Sequence, residues 1–194
     1  GFELGGDPRH ADAVVGQLDL KSAKGVTTPG VDDPVDEEGY DEELLDDSSA
    51  ALYRAIAARC NYLASDRPDM LYAVKELCRE MSKLSSRSMS RLKRVGRYLC
   101  HRPRQVREFA WQAPYEVVDA HRDANWCGCK LSRKSTSWGS LTVVSHLIEV
   151  WSKTQSISAK SSAESELYGI VKGSCEGLGV STLLRDFGVP DVRV

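Results

Sequence analysis

The sequence predicts an α+β chain: a helical segment, then a mixed sheet with one long helix packed on it. Three observations carry this. Apolar residues recur at three-to-four spacing between residues 48 and 104. From residue 105 the spacing becomes alternation, the signature of half-buried strands. The stretch 161–188 then returns to a helical pattern longer than any before it. With 41% hydrophobic and 28% charged residues, the 194-residue chain has the make-up of a globular protein.

The elements follow in order. "DPRHADAVVGQL" has Asp7 as cap and Pro8 at a first helical position, so a short helix is possible there. "TTPGVDDPVDEEGYDEELLDD" is turn-rich and dense in carboxylates, as a tether would be. Residues 1–47 are therefore expected to form an acidic linker without a core. In "DDSSAALYRAIAARCNYLA" Ser48 or Ser49 can cap a helix whose inner face carries Leu52, Ile56, Cys60 and Leu63. A second helix follows Pro68, with Leu71, Val74, Leu77, Cys78, Met81 and Leu84 inward. A third covers "SMSRLKRVGRYLC", with Met89, Leu92, Val95 and Leu99 inward and Arg87, Arg91, Arg94 and Arg97 gathered opposite. Residues 48–104 make the helical region, and 105–194 the sheet region. There "QVREFAW" and "EVVDAHRDANW" read as strands, and "GSLTVVSHLIEVWSK" as two strands turning near Ser145–His146. Trp126 and Trp151 are expected in the core. In the long helix Ser161 and Glu164 fit a capping box, and Gly188 fits a stop. "PDVRV" opens a further strand.

A net charge of −2 conceals a segmental pattern. Residues 1–50 carry 14 acidic and 3 basic side chains; residues 51–110 carry 5 and 14; the remainder carries 9 of each. The basic middle favours contact with phosphates. No apolar run approaches a membrane span, and the first residues do not form a signal peptide. The six cysteines form no CxxC pair, so reduced thiols in a cytoplasmic or nuclear setting are expected rather than a secreted framework. Read alone, Asp123 is a carboxylate at a strand's end and Glu166 a solvated helix residue. Asp119, His121 and His146 are ordinary polar residues by the same standard.

The words "YRAIAARCNYLASDRPDMLYAV", "LKRVGRYL", "DANWCG", "RKSTSWG", "VWSKTQSISAKSSAESELYG" and "LLRDFGV" occur here in one order. Together they resemble the end of the Pol polyprotein of copia-type retrotransposons, where a reverse transcriptase leads into a ribonuclease H domain. The resemblance covers residues 48–189, with "TTPG" at 27–30 similar to a short motif just before it. It implies an incomplete ribonuclease H-like sheet at 105–194, preceded by the end of the reverse transcriptase. It also implies hydrolysis of the RNA strand of an RNA–DNA hybrid by two Mg²⁺ or Mn²⁺ ions. Partners would be the hybrid and the rest of the polyprotein, in the cytoplasm, within virus-like particles, or in the nucleus.

On this resemblance Asp123, in the word similar to "DANW", and Glu166, in the word similar to "SESELYG", are the expected catalytic metal ligands. Hard cations take carboxylate oxygens, and two ions roughly 4 Å apart can activate a water and stabilise the leaving oxygen. Glu164 and Glu166 stand about 200° apart around a helix, so only one can face such a point; Glu164 is better used at the cap. Arg87, Arg91, Arg94 and Arg97 are the expected nucleic-acid contacts. Asn125 replaces the second acidic residue of the family's word, and Trp138 replaces a small residue. The strand expected to bring a third carboxylate would lie past Val194, and Asp186 and Asp191 are poor substitutes. Two other readings stand beside this one: a non-catalytic remnant that binds nucleic acid through 79–107, and a host protein using the fold for protein–protein contact.

Overall fold

In a computed structural model the chain forms two compact units, one of Glu3–Arg107 and one of Gly1–Phe2 with Glu108–Val194. Residues 1–31, 43–112, 116–129, 132–189 and 192–194 are described. The most acidic stretch, 32–42, and Asp191 lie outside them.

Two short strands, β1 (Phe2–Gly5) and β2 (Val106–Phe109), pair with each other. Helix α1 (Pro8–Gln17) is capped by Asp7, whose carboxylate accepts the Arg9 amide at 2.9 Å. The expectation of a coreless linker needs correction here. Ala11, Val14 and Leu18 are buried in the same core as the later helices. That packing depends on Gly96 in the helix Ser86–His101, where an added Cβ would come within 2.8 Å of Leu18 Cδ1 and 2.7 Å of Leu20 Cδ1. Charge counted over 47 residues masked a ten-residue helix with one apolar side.

Helix α2 (Asp47–Ala64) starts two residues earlier than the serines suggest. Asp46 is the cap, accepting the Ser49 amide at 2.6 Å and the Ser48 hydroxyl at 3.1 Å. A carboxylate answers both the free amides and the positive end of the helix. Ile56, Cys60 and Leu63 are buried as expected, but Tyr53 is buried in place of Leu52, which is 41% exposed. Tyr53 can go inside because its hydroxyl donates to the Leu77 carbonyl at 3.0 Å. A 3₁₀ turn at Pro68–Met70 leads into α3 (Leu71–Arg79), and α4 (Ser86–His101) follows. Val74, Leu77, Leu84, Leu92, Val95 and Leu99 complete the core. Under it lies Arg67, only 2% exposed, bonded through Nε and Nη2 to the Asp69 carboxylate at 3.0 and 2.8 Å. Tyr98 donates its hydroxyl to the same carboxylate at 2.6 Å.

In the sheet unit β3 (Asp119–Asn125), β4 (Thr136–Val143) and β5 (His146–Thr154) form an antiparallel sheet in that order. The β4–β5 turn is Val144–Ser145, one residue before the expected place, with Val144 at φ 54°. Helix α5 (Ser162–Asp186) crosses the sheet on Ser165, Gly169, Gly173, Gly177 and Ser181, a buried small residue every four. Small residues at this spacing let the helix backbone approach closely. Trp151 is buried, whereas Trp126 is 46% exposed, its indole N–H reaching the Ala159 carbonyl at 3.0 Å. Gly188, at φ 83°, follows the end of α5. The chain then returns to the sheet: Arg193 bridges Val117 in parallel, with Val118 N–H to Arg193 O and Arg193 N–H to Glu116 O both at 2.8 Å. Mixed α/β architecture, with helices preceding strands, is thus as the sequence predicts.

Candidate functional site

Strand β3 holds Asp123 and the start of α5 holds Glu166. Side chains along a strand alternate between its two faces, and the neighbours of Asp123 show which face meets the helix. A Cβ placed on Gly173 would lie 3.7 Å from Arg122 Cδ and 3.9 Å from its Cβ; one on Gly169 would lie 3.9 Å from Ala124 Cβ. Arg122 and Ala124 therefore look toward α5. Asp123 looks the other way, exposed and in register with Trp138 across the β3–β4 ladder. Trp138, where the resembled family has a small residue, is 45% exposed.

Glu166 is occupied by a different neighbour. Its Oε2 is 3.9 Å from Arg122 Nη1. The group beside Glu166 is thus a guanidinium, a cation supplied by the chain itself. Among the described residues no three His, Cys, Asp or Glu side chains are grouped to hold a metal ion. Two metal ions need carboxylates converging on one point; Asp123 and Glu166, as placed, diverge across the sheet. The residues present, as placed, do not fit the metal pair. Asp119 and His121 are exposed on β3, and Asp186 is exposed at the end of α5. Arg122 escaped the sequence reading, yet the signal was there: it shares the parity of Ala120 and Ala124, and Asp123 does not.

Glu164 does what its spacing suggests, with a shift of one residue. Ser161 Oγ accepts the Glu164 amide at 3.1 Å, and the Glu164 carboxylate accepts the Lys160 amide at 2.7 Å. The first bond satisfies an amide that the helix start leaves open, and the second ties the residue before the cap to the first turn.

The arginines of α4 are brought together, but for internal use. Arg91 is ion-paired with Glu80. Arg94 donates to Thr28 Oγ1 at 2.8 Å, and Arg97 donates to the Lys24 carbonyl at 2.8 Å. Arg87 is half-buried and also engaged. These contacts bind the 24–28 segment across α4, so the expected phosphate-binding row is largely committed. Exposed cationic side chains remain nearby at Lys93, Arg102 and Arg104.

Sequence comparison adds the setting. The chain is 30% identical over 181 residues to the retrovirus-related Pol polyprotein from transposon RE1 of Arabidopsis thaliana, and 29% identical over 181 residues to that from transposon RE2. Each match covers 93% of this chain and 12% of the relative. An uncharacterized mitochondrial protein of the same plant is 30% identical over 134 residues, which is 64% of this chain and 51% of that protein. No protein-family model matches, and no solved structure matches. By its sequence the chain belongs with the retrovirus-related Pol polyproteins of transposons, matching a stretch of about an eighth of their length.

Proposed function

We propose that the chain is a ribonuclease H-type part of a Pol polyprotein, with a helical unit before it, and that it contacts the RNA–DNA hybrid of reverse transcription without cutting it through Asp123 and Glu166. Three antiparallel strands, a long helix and a return of the chain to the segment just before β3 support the ribonuclease H-type reading. The divergence of Asp123 from Glu166, with Arg122 beside the latter, carries the non-cleaving part. Contact with the hybrid is assigned to the exposed cations Lys93, Arg102 and Arg104 of the basic segment 51–110. The cleavage expected of a complete polyprotein, by two Mg²⁺ or Mn²⁺ ions, would require these two carboxylates on one side of the sheet.

The test is binding and cleavage of a labelled RNA–DNA hybrid by the 194-residue chain. Binding should weaken steeply between low and physiological salt, because each neutralised phosphate releases counterions. Substituting Lys93, Arg102 and Arg104 with Gln should weaken it further. The RNA strand should stay intact in Mg²⁺ or Mn²⁺. RNA cleavage lost in both Asp123→Asn and Glu166→Gln would overturn the non-cleaving reading, and absence of binding at low salt would overturn the rest.

A further inference from the structure

One cavity is unused by anything above. It has a volume of about 290 Å³ and lies between the end of β5 and the flank of α5, within the sheet unit. Its polar lining includes Lys153 on β5, Gln155 and Ser156 after it, Ser137 on β4, and Tyr168 and Lys172 on α5. Among the described residues Lys153 and Lys172 line it and no Asp or Glu does.

The lining is held in place. Gln155 donates through Nε2 to Ser137 Oγ and to the Ser165 carbonyl, both at 2.9 Å, which ties the loop after β5 to β4 and to α5. Ser137 accepts in that bond, so its own hydroxyl hydrogen can be given to a ligand. Lys172 is steered by an ion pair with Glu176 and lies 5.9 Å from the centroid of the buried Trp151 ring. Lys153 is exposed. Thr154, which also lines the cavity, has a buried Oγ1 with no hydrogen-bond partner among the described residues, so one more hydroxyl hydrogen is unused in this corner. Two lysines with hydroxyl donors between them suit a tetrahedral oxyanion, which takes point charges and single donors from several directions.

We infer that this cavity is a seat for one phosphate group, held by Lys153 and Lys172, and that in a protein of this family the group is a backbone phosphate of a nucleic-acid strand. The inference rests on the reading that the chain binds nucleic acid, but it concerns a different unit from Lys93, Arg102 and Arg104. Failure of one can therefore be told from failure of the other.

Two measurements on the full chain test it. In the first, hybrid affinity is followed against salt for the wild type, for Lys153→Gln, for Lys153→Gln with Lys172→Gln, and for the triple substitution of Lys93, Arg102 and Arg104. The double variant should lose several-fold in affinity, with a salt slope smaller by about one. Lys153→Gln alone should move in the same direction, and because that side chain is exposed its effect cannot be put down to misfolding. In the second, amide NMR spectra are recorded with inorganic phosphate and with a single-stranded hexanucleotide. The hexanucleotide should shift the Gln155 side-chain amide and the Ser156 and Ile157 amides at concentrations where inorganic phosphate does not. These shifts should vanish in the double variant. Equal shifts with inorganic phosphate would assign the seat to the free ion and overturn the nucleic-acid part. An unchanged salt slope with no shift at Gln155 would overturn the seat itself. Shifts at Gln155 that persist while the triple variant binds hybrid as the wild type does would keep the seat and sink the helical-unit reading.

Discussion

At the scale of single residues, charge in this protein is spent on holding the fold. Arg67 is buried, and Asp69 stands beside it with a hydrogen bond from Tyr98. Burial alone would raise the Asp69 carboxyl; the bonds from Arg67 and Tyr98 outweigh it and hold the group below its ordinary value. An aspartate with a lowered pKa in the fold binds its proton less tightly than in the unfolded chain. Its contribution to stability is therefore complete above the unfolded value of about 4 and is lost as pH falls through the folded one. Asp69→Asn should cost about 2–3 kcal/mol near neutral pH, because Arg67 keeps its charge without its partner. It should also flatten the acid limb of the stability curve. Urea unfolding at a series of pH values checks both, and equal acid sensitivity in variant and parent would refute the assignment. Asp123 and Glu166 present the opposite case. Each is exposed or partly so, and the nearest charge to Glu166 is Arg122 at 3.9 Å. An ion pair of that length near the surface contributes well under 1 kcal/mol, so neither residue is explained by stability.

Elements are set by where small residues stand. Gly139 on β4 faces Trp151 on β5, and a Cβ there would fall 2.1 Å from the indole Cζ2. No rotation of a buried indole relieves a contact that close without moving α5. Gly139→Ala should therefore destabilise the sheet unit by about 1–3 kcal/mol, the usual range for overpacking. Thermal unfolding followed by tryptophan fluorescence would register it, and an unchanged transition would count against the packing described. Strand β3 also shows how one element decides chemistry. Its parity gives the helix Arg122 and gives solvent Asp123, and a slip of one residue would exchange them.

For the whole chain, the first residues matter more than their composition suggests. Val14 is fully buried against α2 and α4, and Leu18 meets Gly96. Val14→Asp should destabilise the helical unit by at least about 3 kcal/mol, since it exchanges buried apolar surface for an unpaired charge. Circular dichroism during urea unfolding would give the value, and a loss below 1 kcal/mol would restore the tether reading for this segment.

What the sequence by itself determined was the order of elements and the kinship. The switch from helical spacing to alternation near residue 105, the Asp7, Ser161 and Gly188 signals at helix ends, and the ordered words from 48 to 189 are local facts, decided by backbone chemistry within a few residues. The α1 core, the burial of Tyr53 in place of Leu52, and the internal pairing of Arg91, Arg94 and Arg97 were decided by tertiary structure, because each depends on a group distant in sequence: Gly96, the Leu77 carbonyl, Glu80, Thr28 and Lys24. Asp123 and Glu166 lie between the two cases. Their identities came from sequence words, and their placement comes from strand parity and the glycine face of α5, which together bring Arg122 beside Glu166.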